Sequence, residues 1–573
     1  MKKCLLLFLF SAFVCFSAFS SSTDVYDKEQ VVEAFFLQHL ATEVDAEFDE
    51  LELQMMVYDT SGVLLETLEA YPVLEENSQD LMAYVFYSDK MFLAVSHYRS
   101  LKAIKAFSTE AGIRFLNGEK PHSIGLIEGI YQSAYNTDEI ELRAASLPSE
   151  GRGNLTMYGP WLSSVFGQVN CRDEQGNIVN VSNYYTPNNY APGCVAITLV
   201  NVLHYFKWPP IGVGTSSYSD TYGSSTGDYS ANYGGRYYDW ENILNRYDNK
   251  ATSLVERQAL GKLAYDAAVA LRTDFEYDGS SSNISKIPSV VKAFFRFSYA
   301  NYLTTSSSEF WTQLDRNMEK GIPVPLAIES STITVDHAIV CDGLYYDESA
   351  PDDVMYHLNM GWWGDDNGWY DIQNSFNAGS YTKITAGVFN FTPIPYMESP
   401  SFVAPDSIFV SWQFPEAENH KLEGFELEAH TGDEDWQVIA YCDSGVKSYT
   451  FKSDSKSDYY FRVKALTQDY TSAYSDVERF YEYPASLSQT AMNDALELFP
   501  TLVEEALQIT TESLDLSKAA IRVYDMAGMA QSFDLTHHSR FNLELSTSTF
   551  KSGAYILSVE TEDGILNKRF LKK

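Results

Sequence analysis

The segment that begins at Tyr190, YAPGCVAITLVNVLHYFKWPP, repeats apolar residues at a spacing near 3.6, which predicts an amphipathic helix. Its apolar face comprises Val195, Leu199, Val202, Leu203 and Phe206. Pro192-Gly193 provides a turn directly before the helix, so we predict Cys194 at the helix N-terminus. Unsatisfied backbone N–H groups and the helix dipole favour an anion there. Cys194 is therefore a candidate thiolate nucleophile.

Apolar and polar residues alternate along much of the C-terminal third of the chain. The positions predicted to face inward are Ile408, Val410, Trp412, Tyr459, Phe461, Val463 and Ala465. A period of two is typical of half-buried antiparallel strands, and it predicts a β-sandwich over 396–485. Its strand YYFRVKAL loosely resembles a strand of a fibronectin type III module. The strand-like segments AAIRVYDMAG and GAYILSVETEDG predict a second β-sandwich over 492–573.

The N-terminus combines two lysines with an uncharged apolar stretch from Cys4 to Phe16, followed by Ala18-Phe19-Ser20. This pattern is typical of a secretory signal peptide, so residues 1–20 are predicted to direct export. The apolar stretch is shorter than the roughly 20 residues that a transmembrane helix needs. A membrane anchor and a lipid-modified Cys15 are the weaker alternatives.

Residues 21–150 mix helix-like and strand-like patterns and end in LRAASLPSEGRGNL. Small polar and charged residues interspersed with Pro and Gly are typical of an exposed linker that proteases cleave. We therefore predict that this linker, around Arg143 to Arg152, ends the N-terminal segment and is exposed to proteases.

Composition and charge narrow the classes of function. A chain of 573 residues is too long for one compact core. Its 78 acidic and 40 basic residues give a formal net charge of −38, which disfavours nucleic-acid binding. Of six cysteines, Cys4 and Cys15 leave with the signal peptide, and the four at positions 171, 194, 341 and 442 are too sparse for a disulfide framework.

His337 is the candidate partner of Cys194. It stands in TVDHAIVCDGLYY, at or near the start of a predicted buried strand, 143 residues after the cysteine. Papain-type hydrolases separate the two residues by about 130–150 positions. Asn359, in YHLNMGWWGDDNGWYDI, would accept the proton of the other imidazole nitrogen, and Trp362 or Trp363 would shield that hydrogen bond from water.

Gln168, in WLSSVFGQVN, is the candidate oxyanion donor, together with the backbone N–H of Cys194. Such a donor is worth roughly 3–4 kcal/mol in the transition state. The alternatives are structural: a free cysteine is more often a small buried hydrophobic residue, and a glutamine is more often a surface residue. We interpret DDNG, after Trp363, as a hairpin turn rather than a calcium site, and we expect no metal and no cofactor.

Seven ordered blocks resemble the streptopain family of papain-like cysteine peptidases, which includes interpain. They are FGQVN, APGCVAITLVNVLHYFKWP, YDWENIL, DGSSSNISKIPSVVKAFF, KGIPVPLAIES, DHAIVCDGLYYD and LNMGWWGDDNGWYDI. The resemblance covers residues 151–395. It implies an α+β chain with a papain-like catalytic domain, an N-terminal α+β propeptide over 21–150 and the two C-terminal β-sandwich domains.

The same resemblance implies a function. Members of the family are endopeptidases made as zymogens, which cleave protein substrates and carry the propeptide as an intramolecular inhibitor. The resemblance therefore implies that the N-terminal segment is removed by cleavage in the linker around Arg143 to Arg152. Matching the motifs residue by residue implies Cys194 as the nucleophile, His337 as base and acid, and Gln168 in the oxyanion hole. Asn359 and Trp362 would support the histidine.

The last domain resembles the C-terminal secretion domain of the type IX pathway of Bacteroidetes. The resemblance rests on a strand ending in Tyr-Asp-x-x-Gly, a Gly-Ala-Tyr strand and a terminal Lys-x-Phe-x-Lys-Lys strand. The usual opening Pro-Asn-Pro turn is reduced here to Phe499-Pro500-Thr501. The resemblance implies the type IX secretion machinery as a partner, and a secreted or surface-attached protein of a Gram-negative, Bacteroidetes-type bacterium.

Three positions depart from the streptopain pattern. Asp336 stands where the family usually has Gly, Met360 where it has Trp, and Ile322 where it has Arg. Because of the first two, a rival interpretation stays open: a surface adhesin or binding protein built on a weak or inactive peptidase scaffold. A transamidase that uses the same thiol is a second rival.

Overall fold

The structure is a computed structural model. It describes residues 31, 54–59, 64–65, 81–97, 104–113, 122–136 and 155–573, the last range without 222, 224, 236, 331–335, 348–349, 374–375, 377–380, 405–406, 416–421, 433, 454–457, 481–495, 501, 512–515, 526–528, 540 and 562–563. The predicted signal peptide and the predicted cleavable linker lie outside the described residues. Within the described part of the chain, no helix is both long enough and apolar enough to cross a membrane.

Twelve strands from the N-terminal segment and the predicted catalytic region form one antiparallel sheet. The N-terminal strands are β1 (Gln54–Asp59), β2 (Leu64–Leu65), β3 (Leu81–Tyr87), β4 (Phe92–Ser96) and β5 (Ile104–Ser108). Next come β6 (Leu155–Tyr158) and two separate hairpins, β7 (Cys171–Arg172) with β8 (Ile178–Val179), and β9 (Thr215–Asp220) with β10 (Gly227–Asn232). The others are β11 (Phe297–Thr304), β12 (Val324–Ser330), β13 (His337–Asp347), β14 (Ala350–Asn359), β15 (Gly368–Tyr370) and β16 (Tyr381–Pro393). The sheet order is β11-β16-β12-β13-β14-β15-β5-β4-β3-β1-β2, and β6 pairs with β13.

Five α-helices occur in the described residues. They are α1 (His122–Asn136), α2 (Cys194–Phe206), α3 (Leu254–Ala270), α4 (Ile287–Phe294) and α5 (Phe310–Glu319). Short 3-10 helices occupy Pro187–Asn189, Trp240–Asn242, Ile284–Lys286 and Leu516–Lys518. Helix α2 confirms the predicted helix, but nearly all of its side chains are buried, so it is a core helix rather than an amphipathic surface helix.

The central sheet separates two hydrophobic cores, and β13 contributes to both. Ala338 lies in the core formed with α2 and α3, whereas Ile339 and Cys341 lie in the core formed with α1 and α5. This follows from the strand geometry, since successive side chains point to opposite faces of a sheet. Helix α2 therefore packs on the face of β13 that carries Ala338.

The N-terminal segment extends the sheet of the predicted catalytic region. Strand β5 pairs with β15, which sets Trp369 opposite Phe107 and Tyr370 opposite Ala106. The rings of Phe107 and Trp369 stack with a centroid distance of 5.9 Å and an interplanar angle of 18°. The opposite face of β15 is also covered, because Phe92 packs against Tyr370 at 5.9 Å.

Two polar contacts also join the N-terminal segment to the predicted catalytic region. Lys105 Nζ lies 3.1 Å from Asp371 Oδ2 in an ion pair with little exposure to solvent. At the start of α1, the backbone N–H of Ser123 donates to Asp366 Oδ1 at 3.0 Å. The carboxylate of Asp366 therefore satisfies a backbone N–H in the first turn of a helix from the N-terminal segment.

Two β-sandwiches follow the predicted catalytic region. The first contains β17 (Tyr396–Met397), β18 (Ser401–Ala404), β19 (Ser407–Gln413), β20 (Leu422–Thr431), β21 (Gln437–Asp443), β22 (Ser448–Lys452), β23 (Tyr459–Thr467) and β24 (Glu478–Phe480). One sheet has the order β17-β19-β18 with β22 on β19, and the other has β21-β20-β23-β24. Trp412, Phe425, Phe461 and Val463 belong to the core between the sheets.

The second sandwich contains β25 (Leu496–Phe499), β26 (Leu502–Val503), β27 (Ala506–Thr511), β28 (Ala520–Asp525), β29 (Leu535–His538), β30 (Asn542–Ser546), β31 (Gly553–Thr561) and β32 (Gly564–Lys572). Its sheets have the orders β25-β27-β30-β29 and β26-β32-β31-β28. The predicted fold class, an α+β chain with two C-terminal β-sandwiches, is confirmed in the described residues.

We predict that Trp369→Ala destabilises the junction between β5 and β15. Trp369 is 4% exposed, and a cavity at this position should lower the local free energy of unfolding by about 3–5 kcal/mol. Hydrogen–deuterium exchange of the peptides that contain β5 and β15 measures this loss. Tyr441→Ala, at a residue 71% exposed on the first sandwich, is the control and should leave that exchange unchanged. Unaltered exchange in Trp369→Ala would contradict the packing of β5 on β15.

Candidate active site

Cys194 is the first residue of α2, as predicted. Gly193, directly before it, has φ +90°, and a Cβ atom there would lie 3.0 Å from the carbonyl oxygen of Ser280. A residue with a side chain is disfavoured at that position both by the backbone conformation and by the close approach. The Gly193 carbonyl then accepts the hydrogen bond from the N–H of Ile197, which begins the helix. The Pro-Gly step thus allows the chain to enter α2 with the thiol at its N-terminus.

His337 is the first residue of β13, and it lies opposite Ile328 of β12. Helix α2 packs against both of these strands. The backbone N–H of Ala338 faces the thiol of Cys194 closely enough to lower its pKa. Since Ala338 directly follows His337, the thiol of Cys194 lies beside the start of the strand that carries its predicted partner.

The surroundings of Cys194 act on its charge in opposite directions. Burial raises the pKa of the thiol, the backbone N–H groups of Ala338, Val195 and Cys194 itself lower it, and the negative charge of Asp336 raises it again. The net direction is upward, so the helix N-terminus alone does not produce the low pKa expected from the sequence. A thiolate here needs a further positive charge, and we predict that an imidazolium on His337 provides it.

Two aromatic rings and one carbonyl surround the imidazole of His337, which is 6% exposed. Trp362 stacks on it at a centroid distance of 5.1 Å and an interplanar angle of 12°, and Tyr381 lies at 5.6 Å. Nε2 lies 3.0 Å from the carbonyl oxygen of Met360. Because a carbonyl oxygen only accepts, Nε2 carries the proton, and in the neutral ring the acceptor lone pair is on Nδ1.

The side chain of Asn359 does not occupy the predicted position against His337. Its Nδ2 donates to the carbonyl oxygen of Ser164 at 2.8 Å, and its Oδ1 accepts from the N–H of Gly361 at 3.2 Å. The reason is the backbone turn at Gly361, which has φ +73° and leaves the carbonyl of Met360 to face the ring instead. Asn359 thus acts on the imidazole indirectly, by fixing the residues on either side of that carbonyl.

The two tryptophans of the Gly-Trp-Trp sequence have different positions. Trp362 covers the imidazole, whereas Trp363 packs against Gly167. A Cβ atom at Gly167 would lie only 2.5 Å from Nε1 of Trp363. Gln168 follows Gly167 and is half-buried. The carbonyl of Gly167 also accepts from Ser182 Oγ at 2.6 Å, so the loop that carries Gln168 is held from two sides. The oxyanion role of Gln168 stays a prediction.

The loop between β14 and β15, which contains the DDNG sequence, supports the histidine as well. The side-chain Oδ1 of Asn367 accepts from the N–H of Met360 at 2.9 Å, and Asp366 accepts from Ser123 of α1. Within the described ranges, no group of three or more His, Cys, Asp or Glu side chains is suited to hold a metal ion.

Three contributors to the site were not identified from the sequence. They are the ring of Tyr381, the main-chain carbonyl of Met360 and the side chain of Asn367. Tyr381 stands at the start of a strand without a recognisable motif, and a carbonyl group carries no signal in a sequence. Asn367 had such a signal, since it belongs to the turn that follows the two tryptophans.

A thiol at the N-terminus of a buried helix, beside a histidine at the start of an antiparallel strand, is the arrangement of papain-like cysteine peptidases. Residues 175–370 match the Peptidase C10 family, and residues 497–573 match the Secretion system C-terminal sorting domain. Both resemblances predicted from the sequence are confirmed by these matches.

The chain is also similar to individual proteins. Streptopain of Streptococcus pyogenes serotype M28 is 24% identical over 257 residues, which are 42% of this chain and 62% of streptopain. The thiol protease/hemagglutinin PrtT of Porphyromonas gingivalis is 26% identical over 192 residues, 33% of this chain and 21% of PrtT. The structure of active interpain A of Prevotella intermedia is 25% identical, with 42% of this chain and 97% of interpain A covered and a TM-score of 0.35. The chain thus spans less than two thirds of the length of the streptopain that it matches.

We predict that the reactivity of Cys194 at neutral pH depends on His337. Without an imidazolium, burial and the Asp336 charge keep the pKa of the thiol above its ordinary value, so the thiol is mostly protonated at pH 7. His337→Ala should slow alkylation of Cys194 by iodoacetamide at pH 7 by roughly tenfold or more. Its remaining rate should rise as the pH increases toward the raised pKa, because only the thiolate reacts.

Mass spectrometry of the labelled Cys194 peptide measures this rate. The half-buried free thiol of Cys442 in the first sandwich is an internal control, and its rate should be equal in both proteins. Equal alkylation of Cys194 at pH 7 with and without the imidazole would show that the two groups do not interact.

Proposed function

We propose that this protein is the precursor of a secreted cysteine endopeptidase that hydrolyses peptide bonds of protein substrates through a thioester intermediate. Cys194 is the nucleophile, and His337 is the general base and acid. Gln168 and the backbone N–H of Cys194 stabilise the oxyanion, while Trp362 and the carbonyl of Met360, positioned by Asn359, orient the imidazole.

One observation carries the proposal. The thiol of Cys194, on a helix, lies beside the backbone of Ala338, next to His337 on a strand of the central sheet. A nucleophile and a base that come from distant parts of the chain and meet at one cleft are the minimum for covalent acyl transfer. A purely structural cysteine needs no glycine with positive φ in front of it and no stacked imidazole beside it.

The reaction follows from these positions. The Cys194 thiolate attacks the carbonyl carbon of the scissile peptide, and the developing negative charge falls on the carbonyl oxygen, next to the oxyanion donors. His337 gives its proton to the leaving amine as the C–N bond breaks, which leaves the acyl group as a thioester on the sulfur. Water then gives a proton to His337 and attacks the thioester, and cleavage of the C–S bond restores thiolate and imidazolium.

The surroundings of His337 hold its ring in position during this cycle. The carbonyl of Met360 accepts the Nε2–H in both protonation states and so holds the ring in one orientation. Trp362 presents its face to the ring, which shields that hydrogen bond from water and attracts the imidazolium. Because a buried hydrogen bond is stronger when water is excluded, this shielding keeps the ring in place.

The domain assignment is part of the proposal. Residues 1–20 are a signal peptide, 21–150 an inhibitory propeptide and 151–395 the peptidase domain. Residues 396–485 are a fibronectin type III-like sandwich, and 492–573 direct secretion through the type IX machinery. The match to a secretion sorting domain and the relationship to PrtT support a secreted or surface protein of a Bacteroidetes-type bacterium. The pairing of β5 with β15 supports a precursor in which the N-terminal segment is bound to the peptidase domain.

The decisive experiment compares Cys194→Ala with the matched control Cys442→Ala in the full chain, produced in a protease-deficient host. Cys442→Ala should convert itself to a shorter form and then release peptides from a denatured proteome. Cys194→Ala should do neither, and it should be cut in the linker when the active control protein is added. Mass spectrometry identifies the cleavage sites and the released peptides.

Two outcomes would contradict the proposal. Trimming of Cys194→Ala at the normal rate would exclude this thiol as the nucleophile of self-processing. A lack of any peptide release by the processed control would favour the adhesin interpretation. Addition of a primary amine separates hydrolysis from transamidation, since a transamidase would form amide products in place of free carboxylates.

We predict that Trp362→Ala lowers kcat/KM and that Trp362→Phe restores most of it. The stacked ring holds the imidazole, and an aromatic contact of this kind is worth about 0.5–1.5 kcal/mol, so we expect a loss of roughly two- to tenfold for the alanine variant. The loss should appear in kcat, because Trp362 supports His337 and not the bound substrate. A change confined to KM would instead assign Trp362 to substrate binding.

A further inference from the structure

We propose that Asp336 makes the cleft selective for protein substrates with a lysine or arginine side chain next to the scissile bond. This inference rests on the proposed endopeptidase function and adds a substrate class to it. It concerns a residue that departs from the family pattern, since the family usually has Gly there.

The position of Asp336 is the first observation. It directly precedes His337 at the start of β13, and its side chain is exposed, whereas His337 and the next four residues are buried. Its charge acts on two groups of the site, because it raises the pKa of Cys194 and the pKa of Tyr381. The exposed carboxylate thus lies beside the candidate catalytic pair, within electrostatic reach of the Cys194 sulfur.

The charges around Asp336 are the second observation. Among the described residues, no lysine or arginine forms an ion pair with Asp336. Lys383, two residues after Tyr381 on β16, is paired with Glu329 at 2.7 Å. Other carboxylates of the catalytic region have such partners, as Asp371 has Lys105 and Asp266 has Lys262. A negative charge at the cleft without a basic partner in the described chain is suited to a cation that the substrate brings.

The charge of Asp336 acts on any charged side chain that a substrate places beside the scissile bond. A substrate with acidic residues at this point is repelled, and one with basic residues is attracted.

Asp336 has a second effect, which must be separated from selectivity. Its charge raises the pKa of Cys194, so its removal changes the thiolate fraction and alters the turnover of every substrate equally. The ratio of kcat/KM for two peptides that differ in one side chain is independent of that common factor. Selectivity is therefore measured as a ratio within one enzyme.

The test uses the processed enzyme and sets of three peptides that differ only in having Lys, norleucine or Glu at one position. In one set this position directly precedes the scissile bond, and in a second set it directly follows the bond. The variants are Asp336→Asn and Asp336→Gly. The charge-matched control is Asp435→Asn, which changes an exposed residue of the first sandwich. In one of the two sets, the native enzyme and the control should prefer Lys over norleucine by about two- to fivefold at low salt, the range of an exposed ion pair.

Both Asp336 variants should lose this preference, mainly through KM, and should accept the Glu peptide better than the native enzyme does. The native preference should also shrink at 0.5 M NaCl, because exposed charges are screened by salt. A Lys to norleucine ratio that is the same in Asp336→Asn and in the native enzyme would overturn the inference while leaving the endopeptidase function intact. Absence of turnover for all peptides, together with no alkylation of Cys194 at pH 7, would instead overturn the proposed function.

Discussion

A half-buried thiolate is unfavourable unless a positive charge lies beside it, and the organisation of the candidate site follows from that constraint. Burial and the charge of Asp336 both disfavour the charged form of Cys194, and three backbone N–H groups compensate only in part. The contact between α2 and β13 is therefore the interaction on which the site depends, because it brings the thiol next to the strand that begins with His337.

The imidazole in turn depends on a loop that contains no catalytic side chain. The segment from Met360 to Asn367 supplies the carbonyl that accepts from Nε2 and the ring of Trp362 that stacks on His337. That loop is held on one side by Asn359 and on the other by the contact of Asp366 with helix α1 of the N-terminal segment. The geometry of the histidine is thus coupled to a part of the chain that we propose to be a removable propeptide.

Much of this arrangement was predictable because it rests on local periodicity. The 3.6-residue repeat predicted α2 with Cys194 at its start, and the apolar stretch after His337 predicted a buried strand. Alternating residues predicted the first sandwich, and strand-like segments predicted the second. The partner of the imidazole was not predictable in the same way, since spacing points to a side chain such as Asn359 and gives no information on which main-chain carbonyl turns toward the ring. The pairing of β5 with β15 was missed because the two strands are distant in sequence and their alternation does not specify a neighbour.

The short strand β15 has a further consequence. Its outer edge is occupied by β5, and its two large side chains, Trp369 and Tyr370, are covered by rings from the N-terminal segment. In a chain that loses this segment, the hydrogen-bonding edge of β15 and apolar surface on both of its faces become accessible to solvent. Open, apolar sheet edges recruit strands from other molecules. Removal of the N-terminal segment would therefore expose an aggregation-prone sheet edge. The solubility of the shortened protein would then depend on what covers that edge.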